Sequence, residues 1–120
     1  MITVYHNPDC SKSRRALELL WDRGVAFDVV EYLVSPPDRE TLQRLVELSG
    51  ENPSAFVRTA DPAFREAGLT LEDGASAADV AELVSRHPAV LQRPIAVSGE
   101  RVVIGRPPER ILDVLGEDQR

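Results

Sequence analysis

The N-terminal quarter of the chain constrains the fold most, because it reads as strand, helix and strand in succession. Ile2 to Tyr5 is apolar and rich in β-formers, and Asn7-Pro8-Asp9 has the composition of a turn. From Ser13 to Arg23 the apolar side chains fall into helical spacing, and Gly24 is a stop signal. Val25 to Leu33 then alternates loosely and predicts a second strand. This order requires two parallel strands joined by a right-handed crossover.

The apolar residues of the predicted first helix recur at helical spacing. They predict one apolar face, made of Ala16, Leu17, Leu20 and Trp21. A stripe of this kind is typical of a helix that packs against a core.

The rest of the chain predicts a helical middle and a return to strands. Ser35-Pro36-Pro37 breaks the chain after the second strand. Four helices are predicted beyond this break: Asp38 to Ser49, Pro53 to Val57, Pro62 to Ala67 and Ser76 to Arg86. The last third predicts an antiparallel hairpin and a closing helix: Ile95 to Val97, Arg101 to Ile104 and Pro107 to Leu115.

A β-α-β unit followed by a helical stretch and a β-β-α unit predicts an α/β fold. Its order of elements is that of a thioredoxin-like, four-stranded mixed sheet. We expect residues 1–120 to form a single domain, with a helical insertion at about 36–90 between the two units. By fold analogy, such folds hold a redox cysteine at the start of the first helix.

Cys10 is the only cysteine, and it stands where the first strand hands over to that helix. A thiol there faces free backbone N–H groups and the positive end of the helix dipole, and both favour the thiolate. A lone cysteine is often a small buried hydrophobe, but Asp9, Ser11 and Lys12 make these surroundings polar and charged. We therefore interpret Cys10 as a reactive thiol.

Two further features bear on the chemistry of the thiol. A helix N-terminus ordinarily contributes only about 0.3–1 kcal/mol, so cationic neighbours must add to it, with His6, Lys12 and Arg14 as candidates. Ser13 occupies the position of the second cysteine in a Cys-x-x-Cys pair, and a serine cannot resolve a sulfur adduct. Any redox cycle must therefore take its other thiols from outside, such as glutathione or a glutaredoxin.

Three arginines are candidates for an anion site. Arg93 precedes Pro94, at the position where thioredoxin-like folds place a cis-proline facing the thiol. Arg106 ends the last strand, and Arg58 lies in a short helical segment. Each fits a solvated surface residue on its own. Together they fit a clamp for a tetrahedral oxyanion, because guanidinium groups bind such oxygens bidentately.

Composition excludes several classes of protein. The chain has 14 Lys and Arg against 20 Asp and Glu, and a net charge of −6 argues against general nucleic-acid binding. No run of residues is long enough to span a membrane, and no signal-peptide pattern is present. A single cysteine excludes an internal disulfide framework. We expect a cytoplasmic protein without a bound metal or cofactor, and without nucleic-acid or membrane partners.

Four blocks of sequence jointly resemble the glutaredoxin-dependent arsenate reductase family. They are His6-Asn7-Pro8-Asp9-Cys10-Ser11-Lys12-Ser13-Arg14, Arg58-Thr59, Arg93-Pro94-Ile95 and Gly105-Arg106-Pro107-Pro108-Glu109. The likeness runs in the same order over essentially the whole chain. Ser11-Lys12 replaces the small, neutral pair that follows the cysteine in well-established members. The chain is thus similar to the short, orphan branch of the family.

The resemblance implies a thiol-dependent oxidoreductase of arsenic detoxification, which reduces arsenate to arsenite through an adduct on Cys10. The positions that bind the oxyanion are implied to be Arg58, Arg93 and Arg106. The positions that tune the thiolate are implied to be His6, Ser13 and Arg14. Arsenate or a related oxyanion is the implied substrate, glutathione the co-substrate and glutaredoxin the partner.

Two other functions stay open. Chains of similar length include Spx-like redox-responsive transcription regulators that bind RNA polymerase. Those proteins commonly use a Cys-x-x-Cys switch, whose second position is Ser13 here. The other function is a thiol sensor that accepts glutathione on Cys10 and performs no turnover.

Overall fold

The structure is a computed structural model in which residues 1–116 are described. It divides into two compact units, one made of Met1–Ser35 with the segment that begins at Arg93, the other of Pro36–Gln92. The first unit contains the sheet, and the second is helical. That residues 1–120 act as one domain stays a prediction.

Four strands of the first unit form one mixed sheet. They are β1 (Ile2–His6), β2 (Phe27–Glu31), β3 (Ile95–Ser98) and β4 (Arg101–Ile104). The strand order is β2-β1-β3-β4, so β2 and β4 are the edges. β1 pairs parallel with β2 and antiparallel with β3, and β3 pairs antiparallel with β4. The predicted four-stranded mixed sheet is confirmed.

A helix and a 3₁₀ segment share the core of the first unit with the sheet. Helix α1 (Ser11–Asp22) connects β1 to β2, and Pro108–Val114 closes the described chain. The core residues are Ile2, Val4, Ala16, Leu20, Ala96, Val103, Ile111, Val114 and Leu115. The predicted closing helix is present, and it is a 3₁₀ helix. It spans 7 residues and begins at Pro108, the second residue of a proline pair, and it is longer than most 3₁₀ runs.

Trp21 does not join the buried face of α1, contrary to the prediction. Its side chain is 76% exposed, whereas Ala16 and Leu20 are fully buried. Ser13 is buried with them, so the inner face of α1 follows the line Ser13, Ala16, Leu20. Successive helix residues point about 100° apart, which turns Trp21 away from the line through Leu20. The buried stripe is therefore narrower than the apolar pattern.

The second unit contains three α-helices, α2 (Arg39–Ser49), α3 (Pro62–Glu66) and α4 (Ala77–Arg86), and two 3₁₀ turns. The turn at Pro53–Phe56 replaces a predicted helix, and the turn at Pro88–Val90 was not predicted.

Each α-helix of this unit begins with a capping side chain. Asp38 accepts the N–H of Thr41 at 2.8 Å, and Asp61 accepts that of Ala63 at 2.9 Å. Ser76 forms a reciprocal capping box with the third residue of α4. Within residues 1–116, no helix is long and apolar enough to cross a membrane.

Candidate active site

Cys10 lies in the turn between β1 and α1, the position that the sequence predicts for it. It is the N-cap residue of α1, with an extended backbone (φ −97°, ψ 119°). Its N–H donates to the carbonyl of Asn7 at 3.1 Å, and its own carbonyl accepts the N–H of Arg14 at 3.0 Å. The turn is thus fixed on both sides of the residue, and the side chain stays partly exposed.

The surroundings lower the pKa of the Cys10 thiol. Burial is the largest single influence and acts in the opposite direction, because it disfavours the charged form. The N–H of Ser13, the side chain of Arg93 and the N–H of Lys12 together outweigh it. The cationic contribution comes from Arg93, which also hydrogen-bonds the sulfur. The site therefore favours a thiolate.

Ser13 holds the first turn of α1 against β1. Its hydroxyl lies 2.6 Å from Nδ1 of His6 and accepts the N–H of Asn7 at 3.2 Å. Burial lowers the pKa of His6, which Glu31 raises and Arg14 lowers further. We therefore assign a neutral imidazole whose Nδ1 accepts the Ser13 proton. His6 and Asn7, the two hydrogen-bond partners of this hydroxyl, are both buried.

Asn7 organises the loop, although the sequence identified it only as a turn residue. Its Oδ1 accepts the N–H of Asp9 at 2.9 Å, which is an Asx-turn. Its backbone N–H donates to the hydroxyl of Ser13, and its carbonyl accepts the N–H of Cys10. Arg14 adds a hydrogen bond of 2.8 Å to the carbonyl of Pro8. The signal for this role was present in the Asn-Pro-Asp composition.

Two proline loops lie together on the thiol side of β3 and β4. The Arg93–Pro94 and Arg106–Pro107 peptide bonds are both cis. The N–H of Gly105 donates to the carbonyl of Pro94 at 2.9 Å. A Cβ at Gly105 would stand 2.9 Å from Cγ of Pro94, which leaves room for glycine alone. This close approach places the loop of Arg106 against the loop of Arg93.

Arg58 belongs to the second unit, unlike the other six residues singled out from the sequence. Its N–H donates to the carbonyl of Val90 at 2.8 Å, and its guanidinium pairs with Asp61 at 3.5 Å. Its side chain is 24% exposed. In the first unit, Cys10, His6, Ser13 and Arg14 lie together at the junction of β1 and α1, and Arg93 lies beside the thiol.

No cluster of three or more His, Cys, Asp or Glu side chains suited to a metal ion occurs within residues 1–116. The chemistry of this turn is that of a single activated sulfur beside a guanidinium.

Comparison with known proteins finds similarity over nearly the whole chain. A family model described as the ArsC family matches residues 5–114. The arsenate reductase of Neisseria meningitidis serogroup A is 40% identical over 118 residues, covering 95% of this chain and 97% of that protein. The protein named uncharacterized protein YfgD of Escherichia coli K12 is 37% identical and covers 96% of this chain and 97% of its own length.

The solved structures agree with the sequence relatives. The structure described as arsenate reductase from Vibrio cholerae superposes with a TM-score of 0.84 at 36% identity. It covers 95% of this chain and 97% of its own. The thioredoxin-like sheet, the turn that holds Cys10 and the full-length similarity together lead to one conclusion. The chain belongs to the ArsC family of arsenate reductases.

Proposed function

We propose that this protein reduces arsenate to arsenite with Cys10 as the nucleophile, glutathione as the co-substrate and glutaredoxin as the reducing partner. The observation that carries the proposal is the place of Cys10 at the N-terminus of α1, where first-turn N–H groups and Arg93 lower the pKa of its thiol. Membership of the ArsC family and similarity to proteins named arsenate reductase support the choice of oxyanion.

The electron count explains why outside thiols are needed. Reduction of As(V) to As(III) takes two electrons, and a dithiol that supplies them becomes a disulfide. This chain has one cysteine, so it cannot supply both electrons and return to its starting state. The balanced reaction joins arsenate and two thiols to give arsenite, one disulfide and water. Cys10 carries the arsenic adduct and is regenerated at the end.

Each residue of the turn has a distinct part in this cycle. The Cys10 thiolate attacks arsenic, and an arsenate oxygen leaves as water after taking up a proton. Arg93 supports the thiolate and then faces the oxygens of the bound anion. His6 and Ser13 keep the first turn of α1 in place, so that its N–H groups stay directed at sulfur. The glutathione thiolate then attacks the Cys10 sulfur of the adduct, so that a Cys10–glutathione disulfide forms, the sulfur–arsenic bond breaks and arsenic leaves as arsenite with two more electrons. The thiolate of glutaredoxin attacks the glutathione sulfur of this disulfide, takes glutathione over and releases Cys10 as a thiolate.

Arg106 joins Arg93 in the proposed oxyanion site of the first unit, and Arg58 of the second unit is a third candidate for binding the oxyanion. Arg106 is supported by the contact of its loop with Pro94. Arg58 is supported by its match to the arginine of the family motif. Guanidinium groups offset the negative charge of arsenate and donate to its oxygens in pairs.

The test is arsenate-dependent oxidation of NADPH in the presence of glutathione, glutaredoxin and glutathione reductase. We expect turnover by the wild-type protein and none by Cys10→Ser, because a serine hydroxyl is not ionised at neutral pH. Omitting glutaredoxin alone should stop the cycle. The matched control is Ser85→Ala, a hydroxyl loss on α4, which should leave turnover unchanged.

Three results would contradict the proposal in different ways. Turnover by the Cys10→Ser variant would show that Cys10 is not the nucleophile. Turnover in the absence of glutaredoxin would show that glutaredoxin is not the required reducing partner. A folded wild-type protein that is inactive with arsenate, and active with another oxyanion or with a glutathione adduct alone, removes the substrate and leaves the thiol site in place.

A further inference from the structure

The mechanism leaves one groove of the first unit unused. It runs along α1 and has a volume of about 610 Å³. Its lining residues are Arg14, Leu17, Glu18, Trp21, Asp22 and Phe27. We call this surface the α1 groove. It begins at Arg14, which holds the Cys10 loop through the carbonyl of Pro8, so it is continuous with the thiol site.

The far end of the α1 groove is apolar and open. Trp21 is 76% exposed there, and together with its apolar neighbours it forms an exposed apolar patch. Phe27 and Val29 stand on one face of β2, since they are two residues apart in a strand. β2 is an edge strand, and Val29 is 44% exposed. The apolar surface therefore extends from α1 to the edge of the sheet.

The charges of α1 point to the chemistry of what binds there. Its first turn has no acidic residue and its last turn no basic one, as seen in the described chain. Asp22 instead ends the helix, where the dipole disfavours a carboxylate. Glu18 is paired with Arg15 at 3.0 Å, whereas Asp22 has no ion pair within residues 1–116. The stability of α1 does not explain why an aspartate stands at position 22. A basic side chain of a binding partner, held beside Trp21, would explain it.

The distance from the thiol fits a single partner. Trp21 follows Cys10 by 11 residues, which is about 16 Å along a helix axis. A protein interface of ordinary size covers about 800 Å² of each partner, a disc about 32 Å across. One partner can therefore cover the thiol and the α1 groove together. A second copy of this chain fits poorly, because each copy carries a net charge of −6 and the same acidic groove.

We propose that the α1 groove is the docking surface for the thiol protein that reduces the Cys10 adduct. The partner packs an apolar side chain against Trp21 and Leu17 and sets a basic side chain beside Asp22. The proposal rests on the thiol exchange in the proposed function, but it does not depend on arsenate as the substrate.

The exchange that docking serves is balanced in bonds and electrons. The thiolate of the partner attacks the glutathione sulfur of a Cys10–glutathione disulfide. A disulfide forms between the partner and glutathione, and the bond between Cys10 and glutathione breaks. Cys10 leaves as a thiolate, which Arg93 and the first-turn N–H groups stabilise. No other oxidant or reductant takes part.

The experiment follows this step without arsenate. The Cys10–glutathione disulfide is prepared with oxidised glutathione, and its reduction by a bacterial glutaredoxin is followed by intact mass over a range of glutaredoxin concentrations. We expect Trp21→Ala to raise the half-saturating concentration at least tenfold, as loss of an interface anchor does. Asp22→Lys should raise it as well, and added salt should weaken the wild-type interaction.

Matched controls separate docking from general effects. Val34→Ala removes another exposed apolar side chain, and Glu47→Lys makes the same charge change on α2. Both should behave as the wild type. Dithiothreitol should reduce the disulfide of every variant at the same rate, since a small thiol needs no docking surface.

Several outcomes overturn the proposal. If Trp21→Ala and Asp22→Lys leave the half-saturating glutaredoxin concentration unchanged, the α1 groove is not the docking surface. If a variant changes the rate of reduction by dithiothreitol as much as the rate with glutaredoxin, the substitution acts on the reactivity of the disulfide and not on docking. A wild-type dimer by sedimentation that Trp21→Ala dissociates assigns the groove to a second copy. Absence of arsenate turnover bears on the proposed function alone, because this readout contains no arsenate.

Discussion

α1 and the helices of the second unit begin in different ways. Asp38, Asp61 and Ser76 cap α2, α3 and α4 by accepting N–H groups of the first turn. In the described chain, Cys10 makes no side-chain capping hydrogen bond of this kind at the start of α1. A cap is worth about 0.5–2 kcal/mol to a helix. α1 therefore leaves its first N–H groups to the thiolate, at a cost in local stability.

α1 and α4 also differ in the charged residues of their first and last turns. α4 has Asp79 in its first turn and Arg86 in its last, as the helix dipole favours. α1 begins with Lys12 and Arg14 and ends with Asp22, which is the reverse. Each misplaced charge costs about 0.3–1 kcal/mol at an exposed site. The helix of the active site is arranged for an anion, and the helix of the second unit for its own stability.

The largest expected effect comes from giving α1 the cap that it lacks. Cys10→Asp should abolish turnover, because the nucleophile is gone, and should raise the free energy of unfolding by about 0.5–1 kcal/mol. Urea denaturation and the coupled arsenate assay on the same preparation measure both. A loss of stability would contradict the comparison, since it would mean that the first-turn N–H groups do not face this side chain.

Removing the cation at the thiol should be the next largest change. Arg93→Ala should raise the pKa of Cys10 and raise the KM for arsenate by about tenfold to a hundredfold, because a charged hydrogen bond contributes about 1.5–3 kcal/mol. The pH dependence of iodoacetamide alkylation measures the pKa. Arg15→Ala is the control, as Arg15 pairs with Glu18 on the surface. Identical alkylation profiles for the two variants would remove Arg93 from the site.

The lowered pKa of Cys10 also has a consequence for stability, with a definite sign. The thiolate contributes stability that is fully present above the pKa of an unfolded cysteine, about 8.5. That contribution is lost as the pH falls through the lower pKa of the folded state. Unfolding free energies of the wild type and Cys10→Ser should therefore differ in slope between these two values, and parallel curves would speak against a stabilised thiolate.

A smaller effect is expected from the hydroxyl that joins α1 to β1. Ser13→Ala leaves Nδ1 of His6 and the N–H of Asn7 without this partner in a buried setting, at a cost of about 2 kcal/mol. Ser85→Ala on α4 removes a hydroxyl that is partly buried and should cost much less. Thermal denaturation compares the two. Equal losses would show that the buried contact adds nothing.

The smallest effect concerns a cap of the second unit. Ser76→Ala should lower the free energy of unfolding by about 1 kcal/mol, since it breaks the capping box of α4. It should leave the pKa of Cys10 unchanged, because no thiolate depends on these N–H groups. A change in the alkylation profile would erase the distinction between the two kinds of helix start.

The sequence predicted the regular elements well because their signals are local. β4 was predicted at its observed bounds, and α2 and α4 start one residue later than predicted because Asp38 and Ser76 act as caps. Turn composition located Cys10 at the start of α1. These features depend on neighbours along the chain, which a sequence displays directly.

What the sequence missed depends on contacts between distant segments. The burial of Ser13 follows from β1 lying beneath it, and helical spacing around a serine does not signal this. Trp21 is exposed because the core covers only a narrow stripe of α1. The spacing of apolar residues in the sequence predicts a wider buried stripe. The nearness of Arg93 to the thiol came from fold analogy, since the two residues are far apart in sequence.

Gly105 shows how a position can be restricted by its surroundings alone. A Cβ there would meet Cγ of Pro94 at 2.9 Å and Cδ1 of Ile111 at 3.1 Å. Its main-chain angles are not those that demand glycine, so the restriction comes from lack of space. Directed evolution of a new oxyanion specificity should therefore find this position closed, while the arginine next to it stays open to substitution. A larger neighbour could be admitted only after Pro94 or Ile111 had first been made smaller.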